Sequence, residues 1–294
     1  MRKVLVSVIL NTYNNEKTIQ KALDSILAQE TDFDFEVLVH DDASTDKTAD
    51  IIKLYTKKYP KIVKPIYQTE NQKSKGIDIN KEYQYTRVIG KYIAIAEPDG
   101  YWTYSQKLQL QLDFLEHHPN VPMCAHSSIL IEDGKTNRLV LSKKNCVLTF
   151  EKILSIKNTF VPLNSIMCKA NPSEDVCSFC DKYPFIYAGV IMAAINGGII
   201  YINKPMSVCT KKGVENIKND EIKIQTYEML CQMLEDADKK SNFEFTELIN
   251  LHKIEQKFNI LRLQKNYKEM KAKEYKRLVK KLSLSEKIKI NFSK

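Results

Sequence analysis

The sequence predicts an α/β protein built on a mostly parallel central sheet with flanking helices and a C-terminal helical extension. Three observations carry that prediction. Residues 4–10, 35–39 and 93–96 are short, nearly continuous apolar runs, as strands covered on both faces require. Between the first two, Ile19, Leu23, Ile26 and Leu27 recur on one helical face, and a second helical stretch with Ile51, Ile52, Leu54 and Tyr55 follows the second run. Strand and helix alternating in this way wind a parallel layer.

Each element has a local reason. The first run stops at Asn11. Ser44, Thr45 or Asp46 can cap the second helix, and Pro60 closes it. His117 and His118 precede Pro119 at a helix end, where a cation suits the C-terminal dipole. Residues 123–131, with His126 among them, read as a strand leading to a hairpin turn at Glu132, Asp133 and Gly134. The most apolar stretch, 185–202, is broken by Asn196 and the pair Gly197-Gly198, so it is expected to be a buried helix followed by a strand at 199–202. A membrane span needs about 20 uninterrupted apolar residues, and no secretory leader is expected from the opening residues.

With 43% hydrophobic and 28% charged residues among 294, the chain has enough apolar material for one large core or two smaller ones, which excludes disordered and collagen-like classes. Seven scattered cysteines, an odd number, are no disulfide framework, and a cytoplasmic protein is expected. Cys177 and Cys180 have zinc or redox spacing but no partner pair, so they are expected to be buried or incidental thiols. Residues 261–294 carry 12 basic and 3 acidic side chains, an excess equal to the whole chain's net charge of +9. The body is therefore neutral overall, which argues against nucleic acid as a partner. Tyr275, Leu278, Val279 and Leu282 interleave with that charge at helical spacing. Such a helix either docks on an anionic membrane surface, at the inner face of the plasma membrane, or packs one face on the body.

Function is read from where the apolar runs end. The first closes on Asn11-Thr12-Tyr13-Asn14, the second on Asp41-Asp42-Ala43-Ser44 and the third on Glu97-Pro98-Asp99. In open parallel sheets ligands bind beyond the carboxyl ends of the strands, so these three ends are expected to share one crevice. No glycine-rich phosphate loop is present. Glu97 and Asp99 could instead hold a hard divalent cation, Mn²⁺ or Mg²⁺, that clamps a diphosphate. Tyr13 offers a face on which a base can stack, and Asp42 an acceptor for a ring N–H.

The segment 7–14, the turn 41–46 and the run 90–102 followed by Lys107-Leu108 resemble glycosyltransferase family 2 on the GT-A fold. The nearest subgroup has Glu-Gly-Asp-Asp-Tyr-Trp where this chain has Glu97 to Trp102. The resemblance implies inverting transfer from a nucleotide-diphosphate sugar, a UDP-sugar above all, to a hydroxyl of a surface polysaccharide or lipid-linked acceptor. It implies that Tyr13 and Asp42 bind the nucleotide with Asn11, Thr12 and Asp41 nearby, and that Glu97 and Asp99 are the ends of the metal motif. It also places the catalytic Asp near the start of the apolar helix, where Asp181 fits best, with Asp175 and Glu174 next in line. Two positions depart from the pattern. Gly100 stands where the subgroup has a second Asp, and Cys209-Thr210-Lys211-Lys212 replaces a run that ends in histidine, leaving Lys212 or Lys211 to neutralise diphosphate. A non-catalytic nucleotide-sugar-binding subunit is the rival these departures motivate. The expected organisation is a nucleotide-sugar half at 1–120, an acceptor half at 121–212 and a basic helical extension at 213–294.

Overall fold

The computed structural model describes residues 3–132, 135–155, 161–183, 186–210 and 219–280, with residues 282, 287, 290 and 291. In chain order the elements are β1 (Val4–Thr12), α1 (Ile19–Leu27), β2 (Asp34–Asp41), α2 (Thr48–Lys58), β3 (Val63–Tyr67), β4 (Tyr92–Ala96), β5 (Tyr101–Trp102), α3 (Lys107–His117), β6 (Met123–His126), β7 (Ser128–Glu132), β8 (Lys135–Leu139) and β9 (Cys146–Leu148). They continue as α4 (Phe150–Ser155), β10 (Met167–Lys169), α5 (Glu174–Lys182), α6 (Ile186–Ile195), β11 (Ile199–Ile202), β12 (Ser207–Thr210), α7 (Asp220–Lys240), α8 (Thr246–Leu263) and α9 (Lys276–Val279). Two units result: Met1–Thr149 with Asn158–Lys211, and Phe150–Lys157 with Lys212–Lys294.

The first unit holds an eight-stranded sheet in the order β3-β2-β1-β4-β10-β6-β11-β9. The pairs β2–β3, β1–β2, β1–β4 and β6–β11 are parallel, and β10 and β9 join antiparallel. This is the GT-A architecture. The apolar runs fill the strands because both faces are covered: Val6, Val8, Leu10, Val37 and Val39 are fully buried, as are Ile19 and Leu23 of α1. Each such aliphatic side chain contributes roughly 1.5–3 kcal/mol by leaving water. From β1 the chain moves outward through β2 and β3, then returns to place β4 on the other side of β1. The order of strands thus reverses between β1 and β4, where a crevice opens at the carboxyl ends of an α/β sheet.

Residues 123–131 divide between two sheets. β6 stays in the large one, whereas β7 joins a four-stranded sheet ordered β5-β12-β7-β8. Gly197 and Gly198, at φ of 116° and 90°, turn the chain from α6 into β11, which the breaker pair had predicted. The last turn of α3 is closed by His117 Nδ1 at 2.6 Å from Asp113 O and His118 Nδ1 at 2.8 Å from Phe114 O.

In the second unit α4, α7 and α8 pack together, with Phe150 edge-on to Phe245 and His252 Nε2 bonded to Leu154 O. The basic tail is more broken than its periodicity suggests. Its apolar residues form a small core in which Phe258 and Leu261 of α8 meet Met270, Tyr275 and Ile290, with Leu278, Val279 and Leu282 packed on the outside. The stripe read from the sequence is therefore covered from within its own unit. Among the described residues no helix is long and apolar enough to cross a membrane.

Candidate functional site

Strand register brings the predicted polar ends together. Thr12 of β1 pairs with Asp41 of β2, and Leu10 of β1 pairs with Ala96 of β4, so residues 11–14, 41–44 and 97–99 leave three adjacent strands at one edge. Tyr13 is half exposed, its ring open for stacking. The first two loops are laced to each other: Asn14 N–H donates to Ser44 Oγ at 2.9 Å, Thr45 N–H to Asn14 Oδ1 at 2.8 Å and Glu16 N–H to Asp46 Oδ2 at 3.1 Å. Ala43 sits at φ 62°, a left-handed conformation costly for a residue with a Cβ. It is held there by Asp41, whose oxygens accept from Ser44 N–H and Ser44 Oγ. The N-cap of α2 is Lys47 rather than Ser44, Thr45 or Asp46, and Asp46, one residue before it, accepts from Thr48 N–H at 2.9 Å.

Other predicted contacts turn out to anchor the segment 71–87, which connects β3 to β4. Asp42 is buried, its Oδ1 accepting from Gln72 N–H at 2.7 Å and its Oδ2 from Lys73 N–H at 3.1 Å. Each oxygen has a further lone pair beyond these bonds. Asn11 uses both ends of its amide: Nδ2 donates to Asn80 Oδ1 at 2.7 Å and Oδ1 accepts from Gln84 Nε2 at 2.6 Å. Thr12 is buried, with its hydroxyl 3.0 Å from Asn15 Oδ1. The Asn11 and Thr12 side chains are therefore engaged within the protein, and Tyr13 is the most open of the residues expected around a nucleotide.

The third loop is held from below. Glu97 N–H donates to Asn164 Oδ1 at 2.8 Å, Gly100 N–H closes a turn onto Glu97 O at 3.2 Å, and Thr210 Oγ1 donates to Asp99 Oδ2 at 2.9 Å. The Cys209 thiol is pushed up to about 12, by burial first and then by the negative charge of Glu97 and Asp99. Both carboxylates thus act on one neighbourhood at the end of β12. Among the described residues no group of three or more His, Cys, Asp or Glu is gathered to hold a metal ion. A cation there would take two carboxylates and complete its shell with substrate phosphate and water, which is how Mg²⁺-like ions are commonly held. The donor set fits.

Behind the loop lies a buried polar group that sequence reasoning missed. Lys107 is fully buried, its Nζ 2.8 Å from Gln111 Oε1 and 4.0 Å from the centre of the Trp102 ring. Desolvation pushes its ammonium down to about 7. Gln111 Nε2 in turn donates to Ser165 O at 2.8 Å. His126 is buried on β6 with Nδ1 at 2.7 Å from Ser127 O, and its pKa is lowered well below the usual value, by desolvation first and then by Lys107. That favours a neutral imidazole, and the residue belongs to the sheet interior.

Asp181 falls elsewhere than expected. Residues 174–182 form a helix of their own, so Asp181 lies in the last turn of α5 rather than at the start of the apolar helix. Its Oδ2 is 2.8 Å from Lys81 Nζ, an exposed ion pair that ties α5 to the segment 71–87. Asp175 and Glu174 occupy the first turn of α5. Cys180 is pushed up to about 11 by burial, which makes it an unreactive thiol. Lys211 and Lys212 lie outside the described residues.

Residues 7–171, more than half of the chain, match the family described as glycosyl transferase family 2. The chain belongs to that family. Among relatives, an uncharacterized protein of Mycobacterium tuberculosis (strain ATCC 25618 / H37Rv), Rv1520, is 32% identical over 205 residues, 69% of this chain and 58% of its own length. A poly(ribitol-phosphate) beta-glucosyltransferase of Bacillus spizizenii (strain ATCC 23059 / NRRL B-14472 / W23) is 34% identical over 97 residues, 33% of this chain and 15% of its own. The chain spans less than two thirds of the length of both relatives. Two solved structures share the fold. One is S. aureus TarS 1-349 in complex with UDP-GlcNAc, with TM-score 0.61, 18% identity and coverage of 98% of this chain and 78% of that one. The other is the mannosyltransferase PcManGT from Pyrobaculum calidifontis in complex with GDP-Man and Mn²⁺, with TM-score 0.56, 17% identity and coverage of 97% and 78%.

Proposed function

We propose that this family 2 member is an inverting, metal-dependent glycosyltransferase that moves a sugar from a UDP-sugar to a hydroxyl of a surface polysaccharide or lipid-linked acceptor. The observation that carries the reading is the register of β2, β1 and β4, which gathers Tyr13, Asp41, Asp42, Glu97 and Asp99 at the point where strand order reverses. Sugar donors bound to TarS and PcManGT, which share the fold, support the donor class.

In this reading Tyr13 stacks on the base. Asp42 accepts a ring N–H with the lone pairs that Gln72 and Lys73 leave open, and Asn11, Thr12 and Asp41 hold the wall. Glu97 and Asp99 would hold Mn²⁺ or Mg²⁺, which supplies charge neutralisation to the departing diphosphate. The sugar's anomeric carbon becomes cation-like as that bond breaks, so the acceptor hydroxyl must lose its proton as it attacks. Asp181 is the base assigned to that proton, acting once the acceptor has displaced Lys81.

Residues 1–120 form the nucleotide-sugar half and 121–212 the acceptor half. Within the extension, 213–294, residues 261–294 dock on an anionic inner membrane surface through their exposed lysines rather than by inserting the stripe Tyr275, Leu278, Val279 and Leu282, which is packed within its own unit.

The deciding experiment is a thermal-shift screen of nucleotide sugars with and without Mn²⁺, followed by donor turnover for wild type, Tyr13→Ala and Asp99→Ala. Tyr13→Ala is expected to weaken donor binding about tenfold, as loss of a base stack of ~1–3 kcal/mol implies, and Asp99→Ala to abolish turnover. An Asp99→Ala protein with unchanged rate removes the metal assignment. Binding without turnover across the donor panel favours the non-catalytic subunit.

A further inference from the structure

We propose that Asn164 is a positioning residue that fixes the Glu97–Gly100 loop for its cation, and that residue 100 is glycine so that the Asn164 amide can enter the loop. The inference rests on the metal-loop reading above.

Asn164 is 1% exposed and comes from the short turn Leu163–Ser165 that feeds β10. Its Oδ1 accepts from Glu97 N–H at 2.8 Å, and its Nδ2 faces Val208 O at 3.5 Å. One side chain thus spans from the first residue of the loop to β12, the strand whose Thr210 donates to Asp99. A Cβ placed on Gly100 would overlap Asn164 Nδ2 and stand 2.6 Å from Val208 O. The amide therefore occupies the volume into which a side chain at position 100 would grow. Hydrogen bonds at both ends of the loop, from Glu97 N–H to Asn164 Oδ1 and from Thr210 Oγ1 to Asp99 Oδ2, hold the loop backbone and the Asp99 carboxylate in place before any ligand arrives. Pre-organisation of this kind makes ion binding tighter because no ordering remains to be done. The absence of a third carboxylate at position 100 is then a consequence of how the loop is locked, not a mark of lost catalysis.

Mn²⁺ titration of the full chain in the presence of UDP, by calorimetry, tests this alongside unfolding midpoints and donor KM and kcat. Asn164→Ala is expected to weaken Mn²⁺ at least fivefold and to raise donor KM. Should that variant not fold, Asn164→Ser carries the same expectation. Asn164→Asp, which keeps an acceptor for Glu97 N–H, should hold Mn²⁺ affinity within threefold of wild type or tighten it. Leu115→Ala, in the core of α3, is the stability control. It lowers the midpoint as much or more and leaves Mn²⁺ affinity unchanged.

Equal losses in Asn164→Ala and Leu115→Ala, or an Asn164→Ala affinity like wild type, overturn the positioning role alone. A loss in Asn164→Asp as large as in Asn164→Ala overturns the assignment of that role to the Glu97 link. A wild-type protein that binds no Mn²⁺ with UDP present overturns the metal reading itself, and the positioning role with it.

Discussion

The side chain of Asn164 and the missing side chain of Gly100 claim the same space. A Cβ on Gly100 would overlap Asn164 Nδ2 and approach Val208 O to 2.6 Å, and because the second neighbour is backbone it cannot rotate away. Gly100→Ala is therefore expected to destabilise the first unit by about 2–3 kcal/mol, the cost typical of overpacking a closed interior. Denaturant unfolding measures it, and a variant within 0.5 kcal/mol (about the scatter of a neutral surface change) would mean the loop yields freely.

Lys107 supplies a prediction about pH. It is wholly buried, with the neutral Gln111 as its hydrogen-bond acceptor among the described residues, and desolvation pushes its ammonium down to about 7 from an ordinary 10.5. A lowered lysine means that the fold penalises the charged form. Below about pH 7 both folded and unfolded chains hold the proton and the full penalty applies. Between about 7 and 10.5 the unfolded chain holds more protons, so stability rises with pH. The penalty is at most about 5 kcal/mol, and the contact with the Trp102 ring and the Gln111 bond offset part of it. Lys107→Met should thus be the more stable protein at pH 6.5, with a margin that shrinks toward pH 10. A margin that stays flat with pH would show that the lysine titrates normally.

What the sequence made legible follows from the range of the interactions involved. Apolar runs that end abruptly on Asn11, Asp41 and Glu97 are local signals, and because β1 is flanked by β2 and β4 those ends had to meet. The breaker pair Gly197-Gly198 likewise marked its own turn. What stayed hidden depends on partners far along the chain. Nothing near Asn11 says that its amide will be used by Asn80 and Gln84, or near Asp42 that it will accept from Gln72 and Lys73. Asp181 lies in the last turn of α5 rather than at the start of the apolar helix because residues 174–182, with acidic residues in their first turn and Phe179 as the buried anchor, form a helix of their own, which the apolar pattern of 185–202 does not announce. In the tail the apolar stripe was visible, but its cover, Phe258 and Leu261, belongs to another helix.

Membrane docking now calls for a test different from truncation. Removing residues 261–294 would also strip the small core around Phe258, so loss of binding would not separate charge from unfolding. Lys271, Lys273 and Lys276 are exposed and lie outside that core. Reversing all three to Glu should weaken sedimentation with phosphatidylserine-containing vesicles at least tenfold, since each lysine near an anionic surface contributes about 1 kcal/mol. The unfolding midpoint should hardly move. Binding that survives the reversal, or a wild-type chain that ignores such vesicles, removes the docking proposal.

The pair Lys81 and Asp181 separates a base from a brace. At 2.8 Å the two are in contact, yet each side chain is about half exposed, and ion pairs in water of that kind contribute between nothing and ~1 kcal/mol. If Asp181 only ties α5 to the segment 71–87, then Lys81→Met and Asp181→Asn break the same tie and must have similar effects, within about fivefold on kcat. If Asp181 takes the acceptor's proton, Asp181→Asn loses kcat by 10²–10⁴-fold, the usual worth of a general base. Donor KM should then stay near wild type, and Lys81→Met should remain within the smaller range. Steady-state kinetics with donor and acceptor at saturation distinguish the two. Matched small losses would move the search for the base to Asp175 and Glu174, in the first turn of α5.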